Sequence, residues 1–195
     1  MNLGEQLVLV LEERLATIER PIIAIDGRGG AGKSTLARAI QSKYLGLVHV
    51  EFDAFHLPLA EVQDFEHFDI TRILNQLIIP FQEEQPLISY QRYNWGYLQG
   101  RSDGLDEELV SIGPANGVIL EGCGTFHPKL LPHFALKIWI DIPLEIARER
   151  GISRDIHEYG LDEANVHSLW SDWEVWQERL IRQNNPADYA DIIVS

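Results

Sequence analysis

One stretch, GRGGAGKST at positions 27–35, constrains this chain more than any other feature of its sequence. It follows the apolar run PIIAID, which predicts a buried strand, and it precedes a predicted helix. Its letters satisfy two nucleotide-binding patterns at once. Gly27, Gly29 and Gly32 fit G-x-G-x-x-G, whereas Gly27, Gly32, Lys33 and Ser34 fit G-x-x-x-x-G-K-[ST].

The second pattern, the P-loop, accounts for more of these residues. In a P-loop the backbone N–H groups bind phosphate oxygens at the positive end of the following helix, Lys33 would reach the β- and γ-phosphates, and Ser34 would bind Mg²⁺. The dinucleotide pattern gives Lys33 and Ser34 no role, and Glu51 and Asp53 supply only loosely the acidic residue that it needs. A simple structural turn explains neither the lysine nor its position. The loop therefore predicts a nucleoside triphosphate site.

Short apolar strands alternating with helices predict an α/β fold, in which a parallel β-sheet is covered by helices on both faces. The predicted strands are IIAI, LVHVEF, GVILEG, LKIWIDI and ADIIV. The length favours one P-loop domain over residues 1–195, with a turn-rich, aromatic substrate-side insertion at about 54–116. The predicted helices cover residues 4–19, 33–44, 69–83, a segment from Leu144, and 161–182, with a polar segment at 151–160.

Composition limits the partners and the compartment. A net charge of −14 argues against nucleic acid or an anionic membrane as a partner, and it requires that the few cations gather around any nucleotide. The apolar runs are too short to span a bilayer, and the first of them lacks the flanks of a signal peptide. A single cysteine, Cys123, permits no internal disulfide and suits a reducing cytoplasm. We expect a cytoplasmic protein with a small-molecule substrate, and the sequence leaves the oligomeric state open.

The order of motifs identifies a family. The tetrapeptide N-K-x-D of guanine-binding switches does not occur. From Ile22 to Val194 the chain resembles the uridine kinase and phosphoribulokinase-like P-loop kinases, through IDGRGGAGKST, VEFDAFH, FDITRILNQL, YNW, VILEG, KIWIDIPLEIARERGISRDIHEYG and YADIIV. The resemblance implies ATP- and Mg²⁺-dependent transfer of the γ-phosphoryl group to a hydroxyl of a small metabolite, a nucleoside such as uridine or cytidine. Two alternatives stay open: a kinase of another small alcohol, such as a sugar or a pantothenate-like acid, and a non-catalytic ATP-binding regulator.

The resemblance also implies the catalytic residues. Asp53 follows the second strand, where the matching aspartate of the family accepts the proton of the substrate hydroxyl. Glu121 ends an apolar strand and, with Ser34, is the expected Mg²⁺ ligand. Arg154 lies in the expected lid, residues 148–160, and with Lys33 would neutralise the phosphoryl group that is transferred. The nucleotide-binding set is Gly27, Gly29, Gly30, Ala31, Gly32, Lys33, Ser34, Thr35 and Arg150.

The substrate side departs from the family pattern. By resemblance, the acceptor is held by His56, Tyr93, Trp95 and Arg101. Asn94 replaces the usual aspartate, and no histidine stands between Trp95 and Arg101. Because a lost polar contact weakens discrimination, we expect any pyrimidine-nucleoside kinase activity to be weak or relaxed between bases, which keeps another small alcohol open as the acceptor.

Several other residues are expected to have no chemical role. Tyr159, not arginine, precedes the lid glycine, so the phosphate contacts of the lid transfer less closely from the family. Trp170, Trp173 and Trp176 predict the packed face of the last long helix. Cys123 is expected to be a small apolar residue behind the loop. The histidines at 49, 67, 127, 133, 157 and 167 show no zinc-binding spacing and are assigned no chemistry.

Overall fold

The main sheet has five parallel strands, as the sequence predicts. The computed structural model describes residues 10–13, 16–63, 66–99 and 102–195. The strands of this sheet are β1 (Ile22–Gly27), β2 (Leu47–Glu51), β5 (Gly117–Glu121), β6 (Leu136–Ile140) and β7 (Ile192–Val194). Their order across the sheet is β2-β5-β1-β6-β7, and every neighbouring pair is parallel. β1 therefore lies in the centre, with neighbours on both sides.

The described residues form four longer helices between the strands of this sheet. They are α1 (Lys33–Lys43), α2 (the consecutive segments Ile70–Ile73, Leu74–Ile78 and Ile79–Gln82), α3 (Leu144–His157) and α4 (Glu163–Asn184). The middle segment of α2 is π-helical. Of the predicted leading helix at 4–19, residues 10–13 and 16–17 are helical, and the rest lies outside the described residues. In the described part of the chain, no helix is long and apolar enough to cross a membrane.

The alternation of side chains along β1 creates two cores. Ile23 and Ile25 belong to one buried cluster together with Ala37 and Ile40 of α1. Residues 22 and 24 face the opposite side, in a cluster that includes side chains of α2 and Trp176 of α4. Because successive side chains of a strand point to opposite faces, a strand buried on both faces reads as a continuous apolar run. This confirms helices on both faces of the sheet.

The boundary predicted in the lid is wrong. The sequence predicts a separate polar segment at 151–160, but α3 continues through it to His157. Gly151 packs directly against the ring of Trp170, and Ile152 is buried beside Val166. A glycine that reads as a turn signal is used here to bring two helices together, so the helix does not end there.

The predicted insertion contains a two-stranded antiparallel hairpin, β3 (Ile88–Tyr93) and β4 (Leu105–Ile112). It packs on the short helical turn Phe52–Phe55 that follows β2, where the rings of Phe55 and Tyr90 stack with centroids 5.1 Å apart. A second turn, Trp95–Gln99, leaves the end of β3. The hairpin thereby brings Trp95 close to the residues that follow β2.

The sheet register determines which side chains meet. Glu121, the last residue of β5, pairs with Ile25 of β1 on one side and with Glu51 of β2 on the other. The carboxyl ends of these three strands therefore lie at one edge. In open α/β sheets, ligands bind outside this edge.

Candidate active site

The loop between β1 and α1 has a backbone that its glycines make possible. Gly30 and Gly32 have φ angles of +76° and +97°, in the left-handed region that residues with a Cβ rarely adopt. A Cβ atom at Gly30 would also lie 2.0 Å from the carbonyl oxygen of Ala147. No side chain caps the start of α1. The N–H groups at this helix end are therefore placed to bind an anion.

Lys33 is folded over its own loop. Its ammonium group donates hydrogen bonds to the carbonyl oxygens of Gly27, at 3.0 Å, and Arg28, at 2.8 Å, and the residue is only 8% exposed. It also lines the cavity described below. The positive charge is thus held beside the helix end, where phosphate oxygens would bind.

Ser34 and Glu121 lie side by side, as the sequence predicts for a pair of metal ligands. Burial raises the pKa of Glu121, but hydrogen bonds from His49 and Ser34 and the charge of Lys33 outweigh this effect, so the net pKa is lowered. The distance from His49 Nε2 to Glu121 Oε1 is 3.1 Å. A hydroxyl beside an ionised carboxylate is a donor set that Mg²⁺ prefers. These residues therefore fit the ion that a P-loop implies.

Asp53 stands in the turn after β2, on the opposite wall from the loop. Its Oδ1 atom is buried and accepts no hydrogen bond from the described residues. Burial, with the negative charge of Glu121 next in importance, raises the pKa of Asp53 to about 6, although Lys33 opposes the rise. A carboxylate with this pKa is a stronger base than an ordinary aspartate.

The arginines of the lid segment have different positions. Arg154 lines the cavity, while its Nε and Nη2 atoms donate to Oδ1 of Asp155 at 2.8 and 2.7 Å. Arg148 instead pairs with Glu174 of α4, at 2.9 Å. Arg150, the predicted nucleotide contact, is exposed on α3 and does not line the cavity.

Of the predicted acceptor residues, one lines the cavity and two lie behind it. Trp95 lines the cavity, and its indole N–H donates to the carbonyl oxygen of Asp53 at 3.3 Å. Tyr93 and His56 are 1% and 2% exposed and pack edge-to-face behind Trp95, with ring centroids 4.8 and 5.0 Å from the Trp95 ring. Arg101 lies outside the described residues. The structure thus puts one predicted acceptor residue at the surface of the cavity and two behind it.

These side chains surround one cavity of about 590 Å³. It is large enough for a small-molecule ligand. Of the predicted nucleotide-binding set, Gly29, Gly30, Lys33 and Ser34 line it, whereas Gly27, Ala31, Gly32 and Thr35 do not. The remaining wall comes from the lid segment and α4, through Tyr159, Leu161, Val166, Leu169, Trp170 and Trp173.

Two of the three tryptophans of α4 therefore do more than form a packed helix face. Trp170 and Trp173 contribute to the cavity, and Trp176 alone lies wholly within the main core. The prediction of a packed face is right for Trp176 and incomplete for the other two. Their spacing of three residues is the same in both roles, so the pattern does not distinguish them.

Sequence reasoning also missed groups that hold the site together. Asp26 is buried and accepts hydrogen bonds from the N–H groups of Gly27, Gly124 and Phe126, which joins the end of β1 to the turn after β5. Burial, outweighing these hydrogen bonds, raises the pKa of Asp26. The acidic residue at the end of the otherwise apolar run PIIAID is the sequence signal that could have predicted this buried carboxylate.

Helix α4 also holds the loop directly. Arg28 donates to both carboxylate oxygens of Glu178, at 2.6 and 3.4 Å, and Gly29 N–H donates to Gln177 Oε1 at 2.9 Å. Cys123 is buried, and burial is the main cause that raises its pKa; it also lines the cavity. The contacts from α4 have no local sequence signal, because about 150 residues separate the partners.

Fold and site together define the class: this is a P-loop α/β protein with a nucleotide-binding edge. The comparisons with known proteins agree. Residues 5–91, less than half of the chain, match the model of the NB-ARC domain, itself a P-loop NTPase domain. Among solved structures, a putative fructose transport system kinase from Silicibacter sp. TM1040 superposes with a TM-score of 0.64 at 21% identity, covering 100% of both chains. A possible uridine kinase from Bacillus stearothermophilus gives 0.63 at 16% identity, covering 95% of this chain and 100% of that one.

The sequence relatives are more specific. The uridine kinase of Clostridium botulinum (strain Langeland) is 26% identical over 162 residues, covering 73% of each chain. That of Alkaliphilus metalliredigens is 29% identical over 160 residues, covering 73% of this chain and 72% of the relative. These findings confirm the predicted resemblance to the uridine kinase-like P-loop kinases and support a phosphotransferase.

Proposed function

We propose that this chain, acting as a single P-loop kinase domain, transfers the γ-phosphoryl group of ATP to a hydroxyl of a small, uncharged, nucleoside-like metabolite. The observation that carries the proposal is the position of Asp53. It faces the same cavity as Lys33, its Oδ1 has no hydrogen-bond partner among the described residues, and its pKa is raised to about 6. A site that only senses ATP has no use for such a group on the acceptor side.

Each of these residues has a separate role in the proposed phosphoryl transfer. The loop amides and Lys33 hold the phosphates, and Arg154 faces the group in transfer. Ser34 and Glu121 would hold Mg²⁺, which neutralises phosphate charge when bound. Asp53 orients the acceptor hydroxyl and takes its proton as the new oxygen–phosphorus bond forms. The bond from the γ-phosphorus to the β,γ-bridging oxygen breaks, and ADP leaves with the electron pair.

The charges around the cavity favour an uncharged acceptor. Among the described residues that line it, the only cations are Lys33 and Arg154. The first donates to carbonyl oxygens of its own loop, and the second is paired with Asp155. The carboxylates of the lining are Glu51, Asp53, Glu121, Asp155 and Glu158. An anionic acceptor, such as a pantothenate-like acid, would find no unpaired cation there and would be repelled.

The aromatic wall favours a ring. Trp95 and Trp173 present flat apolar surfaces to the cavity, and stacking on such a side chain contributes about 1–3 kcal/mol per base. The uridine kinase relatives make a nucleoside the leading candidate. Because no histidine stands between Trp95 and Arg101 to hold the base, we expect poor discrimination between bases. His56 and Tyr93 would act by supporting Trp95.

An ADP-release assay with a panel of acceptors tests the proposal. The panel contains uridine, cytidine, a purine nucleoside, a neutral sugar, and the anions glycerate and pantothenate. We expect turnover with at least one neutral ring-bearing alcohol, dependence on Mg²⁺, and no turnover with the anions. Turnover restricted to an anion would refute the charge argument, and strict selectivity for uridine would refute relaxed base recognition. Tight ATP binding without transfer to any acceptor would favour the regulator.

A further inference from the structure

The ring of Trp170 lies between two glycines that are far apart in sequence. A Cβ atom placed at Gly29 of the phosphate loop would come within 3.0 Å of Cη2 of this ring. One placed at Gly151 of α3 would come within 2.1 Å of the same atom. Trp170 is 5% exposed. Through this side chain, α4 therefore contacts the loop and the lid segment at the same time, and it can do so only because both positions lack a side chain.

The indole N–H of Trp170 makes one specific contact, to the lid. It donates to Oδ2 of Asp155 at 2.8 Å. The other oxygen of Asp155 accepts from Nε and Nη2 of Arg154. In the described part of the chain, no hydrogen bond holds the third nitrogen, Nη1. Burial alone would lower the pKa of Arg154, but Asp155 outweighs burial and raises it, so the guanidinium stays charged.

Arg154 faces the catalytic group across the cavity. It helps to lower the pKa of Asp53, and Asp53 helps to raise the pKa of Arg154, so the two charges are close enough to interact. A free arginine side chain loses rotamer entropy when it binds a phosphate. Holding two of its nitrogens beforehand removes part of that cost and preorganises the third.

We propose that Trp170 is a positioning residue: by fixing Asp155, it holds Arg154 with Nη1 directed to the γ-phosphoryl group. The proposal rests on the proposed function, because it assigns Arg154 to the phosphate that is transferred. It also explains why a buried tryptophan lies in a small cluster of its own with Ile152 and Val166, outside the two cores of the sheet.

The first test is the variant Trp170→Phe, which removes the N–H donor and keeps an aromatic ring beside Ile152 and Val166, but lacks the outer ring atoms that reach the two glycines. We measure the dissociation constants of ATP and ADP by calorimetry, because only ATP carries the γ-phosphate. Since a hydrogen bond to a charged group is lost, we expect the preference for ATP over ADP to fall about tenfold. The affinity for ADP should change by less than about threefold, because ADP lacks the γ-phosphate and Lys33 and the loop amides are unchanged.

A double-mutant cycle with Arg154→Ala shows through which residue Trp170 acts. Arg154→Ala should itself reduce the preference for ATP, and adding Trp170→Phe to it should cause no further reduction. Two independent, multiplying losses would overturn the proposal. The matched control is Trp176→Phe, a change at an equally buried tryptophan of the same helix that makes no contact with Asp155 in the structure. It should leave the preference for ATP unchanged, whatever it does to the melting temperature.

Because binding is the readout, the result does not depend on finding the acceptor. If the unchanged protein phosphorylates nothing in the panel yet loses its ATP preference in Trp170→Phe, the proposed function fails and the positioning role stands. If transfer is found and Trp170→Phe retains the full preference for ATP, the positioning role fails and the proposed function stands. An unchanged protein without preference for ATP over ADP also refutes the positioning role.

Discussion

The two walls of the cavity are built in different ways. The phosphate wall comes from one stretch of chain: Gly29 and Gly30 lie in the loop after β1, and Lys33 and Ser34 begin α1. The opposite wall is assembled from separate segments: the turn after β2, the end of the hairpin, the lid segment and α4. One wall is thus encoded locally, and the other depends on the whole fold.

The phosphate wall is of a kind that serves many proteins, whereas the acceptor wall determines the particular substrate. A loop that binds phosphate needs only glycines, a helix start and a lysine, so it serves many proteins with different substrates. The acceptor wall contains the side chains that distinguish one small alcohol from another. Variants on the two walls should therefore have different effects: those on the phosphate wall should act through ATP, and those on the acceptor wall through the binding or deprotonation of the acceptor.

The largest effect is expected on the acceptor wall, from Asp53→Asn. The amide keeps the shape of the side chain but removes the base, so transfer should fall about 10²–10⁴-fold. Nucleotide affinity should change little. The ADP-release assay measures the first and calorimetry the second. An activity within a few-fold of the unchanged protein would remove Asp53 from the mechanism.

Stability distinguishes this loss from misfolding. The pKa of Asp53 is raised from 3.8 to about 6, so its ionised form lowers the free energy of unfolding as the pH rises through that range. At pH 7 the asparagine variant should therefore be more stable than the unchanged protein, by roughly 1–3 kcal/mol. Below about pH 4 the difference should vanish, because both states of the protein are then protonated. Chemical denaturation at the two pH values checks this.

On the phosphate wall, Lys33→Ala should reduce transfer by about 10²–10³-fold, because it removes a charge aimed at the transition state. The fold should survive, although the carbonyl oxygens of Gly27 and Arg28 lose a donor. Circular dichroism and the melting temperature test the fold. Full activity in a folded Lys33→Ala variant would contradict the P-loop assignment.

Whether a feature could be predicted from the sequence also depends on whether it is encoded locally. The loop, the strands and the position of Asp53 after β2 have local signals, namely a motif, apolar runs and chain order. The continuation of α3 through Gly151 could not be predicted, because that glycine serves a contact with Trp170 in another helix. Burial of Tyr93 behind Trp95 was missed for a similar reason, since the hairpin decides which ring faces the cavity.

A more moderate effect is expected at Trp95, the acceptor residue that the cavity exposes. Trp95→Ala should raise the acceptor KM about tenfold through lost stacking, and it should raise the KM for ATP far less. The matched control is Tyr93→Phe, which removes the hydroxyl that donates to Asp103 and keeps the ring behind Trp95. It should lower the melting temperature and leave the acceptor KM within about twofold. The opposite pattern would place Tyr93, not Trp95, at the acceptor.

The smallest effect concerns the pH dependence of the reaction. Because Asp53 must be ionised to accept a proton, kcat/KM should fall about tenfold per pH unit below its pKa of about 6 and level off above it. The exposed neighbour Glu51 contributes to that raised pKa through its negative charge, after burial and Glu121. Glu51→Gln should therefore move the acid limb to lower pH by a fraction of a unit, since an exposed charge is screened by solvent.

A control variant on the acceptor wall shows whether the shift of the acid limb is specific to Glu51. Glu158→Gln removes a carboxylate from the cavity lining that is not among the main causes of the raised pKa of Asp53. It should leave the acid limb where it is. Profiles of kcat/KM from pH 4.5 to 8 for the unchanged protein, Glu51→Gln and Glu158→Gln give the comparison, and Asp53→Asn is measured beside them. An acid limb that persists in Asp53→Asn would show that another group controls it, and the acceptor wall would then need a different base.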